Sequence, residues 1–240
     1  MDTAIESVAS ACYDTGRNQV CYGNISLNVT PEPDAPDFTF ERVGDIMDLT
    51  SLRSLRVSPL DELQGEWGIA MMQLQADIPE SLPGQNVTFL VFGDVELENR
   101  ASLEQSPMQS FYLRSSVGNA ACVDAPESGV LVQTPEGVKS VHFNINGIDV
   151  EIGSTVMLQA SAEQQFIVRT LEGAAVVTMN GQSYPVIAGT EMSIPLDIQP
   201  PPWACPRRPL HFLRQRLKTC QLRLFHEKYF PQHHFLMPSK

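Results

Sequence analysis

Two Asn-Gly dipeptides constrain this chain more than any other feature. Asn146-Gly147 lies in "VHFNINGIDVEI" and Asn180-Gly181 in "VVTMNGQSYPVIAG", each between stretches in which apolar and polar residues alternate. Alternation is the period of a strand with two unlike faces. A two-residue loop joining two such strands needs positive φ at both positions, and Asn followed by Gly meets that need best. With the turn at Asn146-Gly147, Ile145 meets Ile148, Phe143 meets Val150 and Val141 meets Ile152, all apolar. The other face pairs Asn144 with Asp149 and His142 with Glu151, all polar. A slip of one residue would mix the two faces, so the register is well specified. Around Asn180-Gly181, Met179 meets Gln182, Val177 meets Tyr184 and Ala175 meets Val186, with Thr178-Ser183 and Val176-Pro185 on the opposite side. Pro185 has no N–H to give a ladder, which places its strand at an edge or ends it there.

The rest of the body reads the same way. In "QNVTFLVFGDVELEN" Val87, Phe89 and Val91 fall on one face and Thr88, Leu90 and Phe92 on the other, as in a strand covered on both sides. "EWGIAMMQLQADIP" is short and bounded by Gly and Pro, which favours a strand over a helical segment. "FERVGDIMDLTSLRSLRVSP" reads as strand, short turn, strand. The expectation is an all-β protein of two antiparallel units, sandwich or jelly-roll-like. An N-terminal Cys-containing loop segment covers 1–37, a first β unit 38–105 and a second 108–198. Residues 199–240 form a Pro-rich linker and tail, with five prolines between Pro200 and Pro209.

Charge divides the chain in two. Residues 1–202 hold 8 Lys and Arg against 27 Asp and Glu, a net of −19; residues 203–240 hold 8 against 1, a net of +7. The acidic body cannot neutralise phosphates, which argues against nucleic acid. In "LHFLRQRLKTCQLRLFHEKYF" Leu210, Leu213, Leu217, Cys220 and Leu224 recur at helical spacing among basic residues. A short basic helix of this kind could lie on a membrane surface or dock on the acidic body. The abrupt change of composition equally fits a tail that is no evolved part of the module.

Five cysteines occur. Cys12 and Cys21 bracket the short loop "CYDTGRNQVC", where a bridge would fit an oxidising compartment. Cys122 is an alternative partner for either. No apolar run approaches the roughly 18 residues of a membrane span. Residues 1–11 show no apolar leader, so the chain reads as the mature or truncated start of an exported protein. His142 is the body's one histidine and its one ready general base, and a cross-strand pair with Glu151 accounts for it. No Gly-x-Ser-x-Gly elbow, phosphate-cradling Gly loop, His-Glu-x-x-His or calcium-loop spacing is present. Cys205, Cys220, His226, His233 and His234 match no common metal spacing. No cofactor and no metal is expected.

From Gly129 to Leu196 the chain resembles a FecR-type domain. The resemblance rests on "GVLVQTPEGVKSV", "NGIDVEIGSTVML" and "FIVRTLEGAAVVTMNGQSYPVIAGTEMSIPL", with Leu171-Glu172-Gly173 and Ala188-Gly189 as its turn signatures. It implies a small extracytoplasmic β domain without catalytic residues. "CYGN" and "GEWGIAMMQLQ" resemble segments of uncharacterised exported bacterial proteins. Gly173 and Gly189, with the two Asn-Gly pairs, are the expected structural turns. The expected role is a non-enzymatic extracytoplasmic β module (secreted, periplasmic or at the cell surface) acting in binding, scaffolding or signal sensing toward a protein or glycan partner. Two alternatives stand beside it. One is the periplasmic part of a FecR-type transmembrane signalling regulator. The other is a hydrolase with a site between the β units, built from His142 and carboxylates such as Glu66.

Overall fold

Both hairpin turns close as their sequences require. Asn146 and Gly147 have φ of 54° and 79°, and Asn180 and Gly181 have 51° and 74°. The computed structural model describes residues 8–36, 38–61, 67–79, 85–116, 127–161, 165–196 and the backbone of 222–224. The strands are β1 (Gln19–Asn24), β2 (Leu27–Pro31), β3 (Ile46–Asp48), β4 (Leu52–Val57), β5 (Ile69–Leu74), β6 (Val87–Phe92), β7 (Val95–Asn99) and β8 (Ser110–Ser115). They continue with β9 (Gly129–Gln133), β10 (Val141–Ile145), β11 (Ile148–Ala160), β12 (Gln165–Met179), β13 (Gln182–Ile187), β14 (Thr190–Pro195) and β15 (Leu222–Leu224). The fold is all-β. The register of β10 with β11 pairs Ile145 with Ile148, Phe143 with Val150 and His142 with Glu151. That of β12 with β13 pairs Val177 with Tyr184 and Val176 with Pro185. Among the described residues β13 is bonded on one side alone, and Pro185 there stands on an edge strand.

The two longest strands organise the sheet. β11 pairs β10 through residues 148–152 and β9 through residues 155–158, while β12 runs along its other side. β12 pairs β14 through residues 165–170 and β13 through residues 174–179. The result is one curled sheet with two limbs. The first runs β3-β1-β5-β6-β9 to the C-terminal half of β11, and on through β12 to β14. The second runs β2-β4-β7-β8-β10 to the N-terminal half of β11, and on through β12 to β13. All pairings are antiparallel except β8 with β10. The ladder runs without a break between the stretches 38–105 and 108–198, because β6 pairs β9 and β7 pairs β8.

The limbs meet face to face. Phe89 of the first limb lies 5.7 Å from Phe111 and 5.4 Å from Phe143 of the second, measured between ring centres. Val20, Met72, Val132 and Val156 from one side and Leu55, Leu97, Leu113 and Val177 from the other complete one apolar core. The irregularity in the long ladder falls beside Gly153 and Gly173, the kind of position at which a strand can bend. The β11–β12 register shifts between Thr155 and Val156, and Gly173 sits within β12 with φ of 68°. A Cβ on Gly173 would lie 2.3 Å from the Gly153 carbonyl oxygen. Gly189 occupies the β13–β14 turn, where its N–H donates to the Thr170 carbonyl at 2.8 Å.

The first limb is also covered on its outer side. Directly opposed residues Cys21, Met71, Leu90, Leu131 and Met157 form an apolar row across β1, β5, β6, β9 and β11. Val8, from a helical turn over residues 8–11, and the Cys12–Cys21 disulfide pack at one end of it. Hence β6 is apolar on both faces: Phe89 faces the main core, and Leu90 and Phe92 face this second cluster.

One expectation needs correction. Leu222–Leu224 are a strand paired to β14, not the end of a basic helix. A strand can draw on β14's open edge for backbone partners, whereas a helix must satisfy its own. Residues 210–221, the rest of the expected helix, lie outside the described residues.

The corner yields a test. Gly173→Ala adds a clash with backbone to a left-handed conformation and should cost about 2–4 kcal/mol of stability. Gly147→Ala, whose new Cβ meets nothing within 4 Å among the described residues, should cost only about 1 kcal/mol from its backbone conformation. Urea denaturation of both variants measures the contrast.

Candidate functional site

The polar face of the β10–β11 hairpin collects groups that the sequence keeps far apart. His142 and Glu151 face each other across the ladder, as do Asn144 and Asp149, and Asp149 is in turn opposite Thr178 of β12. Because their neighbours in each strand point into the core, all these side chains emerge on the solvent side. Asp77 joins them from the turn after β5. Its Oδ2 lies 2.8 Å from His142 Nδ1, and its carboxylate accepts the His142 backbone N–H at 3.3 Å. His142 Nε2 is 3.6 Å from Glu151 Oε2. Ser140 Oγ donates to the other Glu151 oxygen. Asn144 Nδ2 donates to Asp149 Oδ1 at 2.7 Å.

His142, Asn144, Asp149, Glu151 and Thr178 border an open groove of about 240 Å³, to which Gln105 and Gln109 add amides. The His142 side chain is 65% exposed, so each of its carboxylate contacts is solvent-screened and worth under about 1 kcal/mol. The imidazole has a carboxylate beside each nitrogen. The neighbouring hydroxyl, Ser140, is bonded to Glu151 and not to His142, so no nucleophile–base pair is assembled here. Among the described residues no three His, Cys, Asp or Glu are placed to hold a metal ion. What the groove offers is a rim rich in acceptors, with Asp149 and Glu151 as its carboxylates and His142 and the amides as donors.

A second charged cluster is better shielded. Arg169 of β12 stands opposite Glu191 of β14 and bonds it through Nε, while its Nη1 reaches Glu127. The Arg169 and Glu191 side chains are 19% and 14% exposed. Burial disfavours the Arg169 cation, but hydrogen bonds to Glu127 and Glu191 outweigh it and hold the guanidinium above its ordinary value. Arg169 also extends the outer apolar row, being opposite Met157.

Of the expected residues, Cys12 and Cys21 are bonded to each other. Cys122 and Glu66, and the tail positions Cys205, Cys220, His226, His233 and His234, lie outside the described residues. Asp77, Glu127, Arg169 and Glu191 were not singled out by the sequence. No local spacing links Asp77 to His142, and Arg169 meets Glu191 only through the β12–β14 register.

The chain matches no protein-family model and no curated protein sequence. Two crystal structures of a candidate anti-sigma factor from Parabacteroides distasonis are similar to it, each with a TM-score of 0.37 and with 9% and 8% identity. The alignments cover 60% of this chain and 55% and 56% of those chains, a likeness too distant to assign a fold or a role. The chain thus spans little more than half the length of the structures it matches.

The two clusters should respond differently to mutation. Arg169→Met leaves the shielded Glu191 and the more exposed Glu127 without this cation and should destabilise by about 2–3 kcal/mol, with Arg169→Lys recovering part of the loss. His142→Ala should change stability by less than about 1 kcal/mol. Denaturant midpoints at neutral pH measure both.

Proposed function

We propose that this protein is a non-enzymatic extracytoplasmic β module that binds a protein or glycan partner through the polar face of its β10–β11 hairpin, with residues 129–196 as its FecR-like part. The observation that carries the reading is the groove itself. A rigid two-limbed sheet holds Asp77, Asp149 and Glu151 beside His142, Asn144 and two glutamines on an open surface. Such a rim suits hydroxyls, amines or guanidinium groups, which donate hydrogen bonds to carboxylates. The Cys12–Cys21 bridge supports the compartment, since structural disulfides persist where the environment is oxidising.

Titration of the isotopically labelled protein with neutral oligosaccharides and with Lys/Arg-rich peptides tests the groove. One of these probes should shift backbone resonances at His142–Glu151 and Thr178, and the shifts should vanish in an Asp149→Asn/Glu151→Gln variant that keeps its stability. Shifts that survive the double substitution would place binding elsewhere. Thiol alkylation of the native, unreduced protein tests the compartment. Cys12 and Cys21 should resist until reductant is added, and their free alkylation would remove that support.

A hydrolase reading draws on one observation, the 2.8 Å contact that orients His142 through Asp77. Unchanged turnover by His142→Ala on any substrate found would dismiss it.

A further inference from the structure

β14 has one edge bonded to β12, and along the other lies β15, a three-residue strand contributed from the basic tail. The register is antiparallel: Thr190 faces Leu224, Glu191 faces Arg223 and Met192 faces Leu222. On β14 itself Thr190, Met192 and Ile194 are buried, while Glu191 and Ser193 lie on the outer side. Arg223 therefore takes the register position of the one acidic residue in β14, and the two leucines take those of inward-facing residues.

Charge favours the same arrangement. Glu191 and Glu127 share the single guanidinium of Arg169. A second arginine in register would place another positive residue opposite Glu191. On a larger scale, a body of net −19 meets a tail of net +7. The β13 edge is built differently. It carries Pro185 in mid-strand, which withholds a donor and discourages strand addition. Residues 190–192 of β14 carry no proline.

We propose that the β14 edge is a strand-acceptor site for an extended segment of the pattern apolar–basic–apolar, and that Leu222-Arg223-Leu224 of this same chain fills it. Backbone hydrogen bonds supply affinity in such strand addition, and alternate side chains supply selectivity. Here Glu191 selects the basic residue at the centre. The segment is exchangeable, because a three-residue strand gives few backbone bonds.

The test uses the full chain and a fluorescent peptide of residues 218–228 with Cys220→Ser, read by fluorescence anisotropy. The parent should bind it weakly, its own segment competing. Arg223→Glu in the full chain should vacate the edge and tighten peptide binding at least tenfold. Adding Glu191→Arg to that variant should abolish the gain. In a background of Cys122→Ser, Cys205→Ser and Cys220→Ser, oxidation should link Glu191→Cys to Arg223→Cys within one chain, and much faster than Ser183→Cys on the β13 edge. A scrambled peptide that binds equally well would overturn the proposal, as would binding indifferent to Glu191→Arg. A bridge formed between chains would overturn the assignment of the site to the chain's own tail.

Discussion

Both limbs of this sheet depend on one ladder, that of β11 with β12, which runs from Asp149 opposite Thr178 to Ala160 opposite Phe166. Each strand changes partner half way along: β11 from β10 to β9, and β12 from β14 to β13. A flat ladder of that length would hold the limbs side by side. It bends instead at Gly153 and Gly173, where the two backbones approach too closely for a side chain on Gly173. Phe89 of one limb packs on Phe111 and Phe143 of the other, so the main core needs the two limbs to face each other. Hydrophobic burial then stabilises a geometry that local backbone chemistry permits.

The same ladder positions the polar groove. Strict alternation along β10 sends Val141, Phe143 and Ile145 inward and His142 and Asn144 outward. The rigidity of the groove therefore follows from the core beneath it, while its exposure keeps its own ion pairs weak. Arg169 shows the opposite balance. It lies where the apolar outer row gives way to charge, and shielding from water strengthens its bonds to Glu127 and Glu191. The groove is thus lined by loosely held charges, and the Arg169 clamp is built on a shielded one.

Much of the fold is legible along the chain, because hairpin register is a local property. Asn-Gly turns and period-two alternation define β10 with β11 and β12 with β13 to the residue, and the double-sided apolar pattern of β6 reports its two clusters. Non-local facts are hidden. The lengths of β11 and β12 cannot be read from alternation, since the bulge after Thr155 breaks the pattern while the strand continues. Gly173 reads as a turn because its left-handed backbone is what a turn needs, yet a strand corner needs it too. His142 and Glu151 are visible as a pair, but Asp77 reaches them from β5's end with no signal in spacing. Helical spacing in the tail misleads at Leu222–Leu224, where an available sheet edge overrides a weak local preference.

If the bent ladder holds both limbs together, they must unfold as one. Native-state hydrogen exchange of the β11 amides measures this most directly, comparing Val150, in the half paired to β10, with Leu158, in the half paired to β9. The two should exchange with the same opening free energy and the same denaturant dependence, both equal to global unfolding. An opening free energy lower by more than about 2 kcal/mol at one of them would show that its limb opens alone, and would contradict a fold suspended from a single corner.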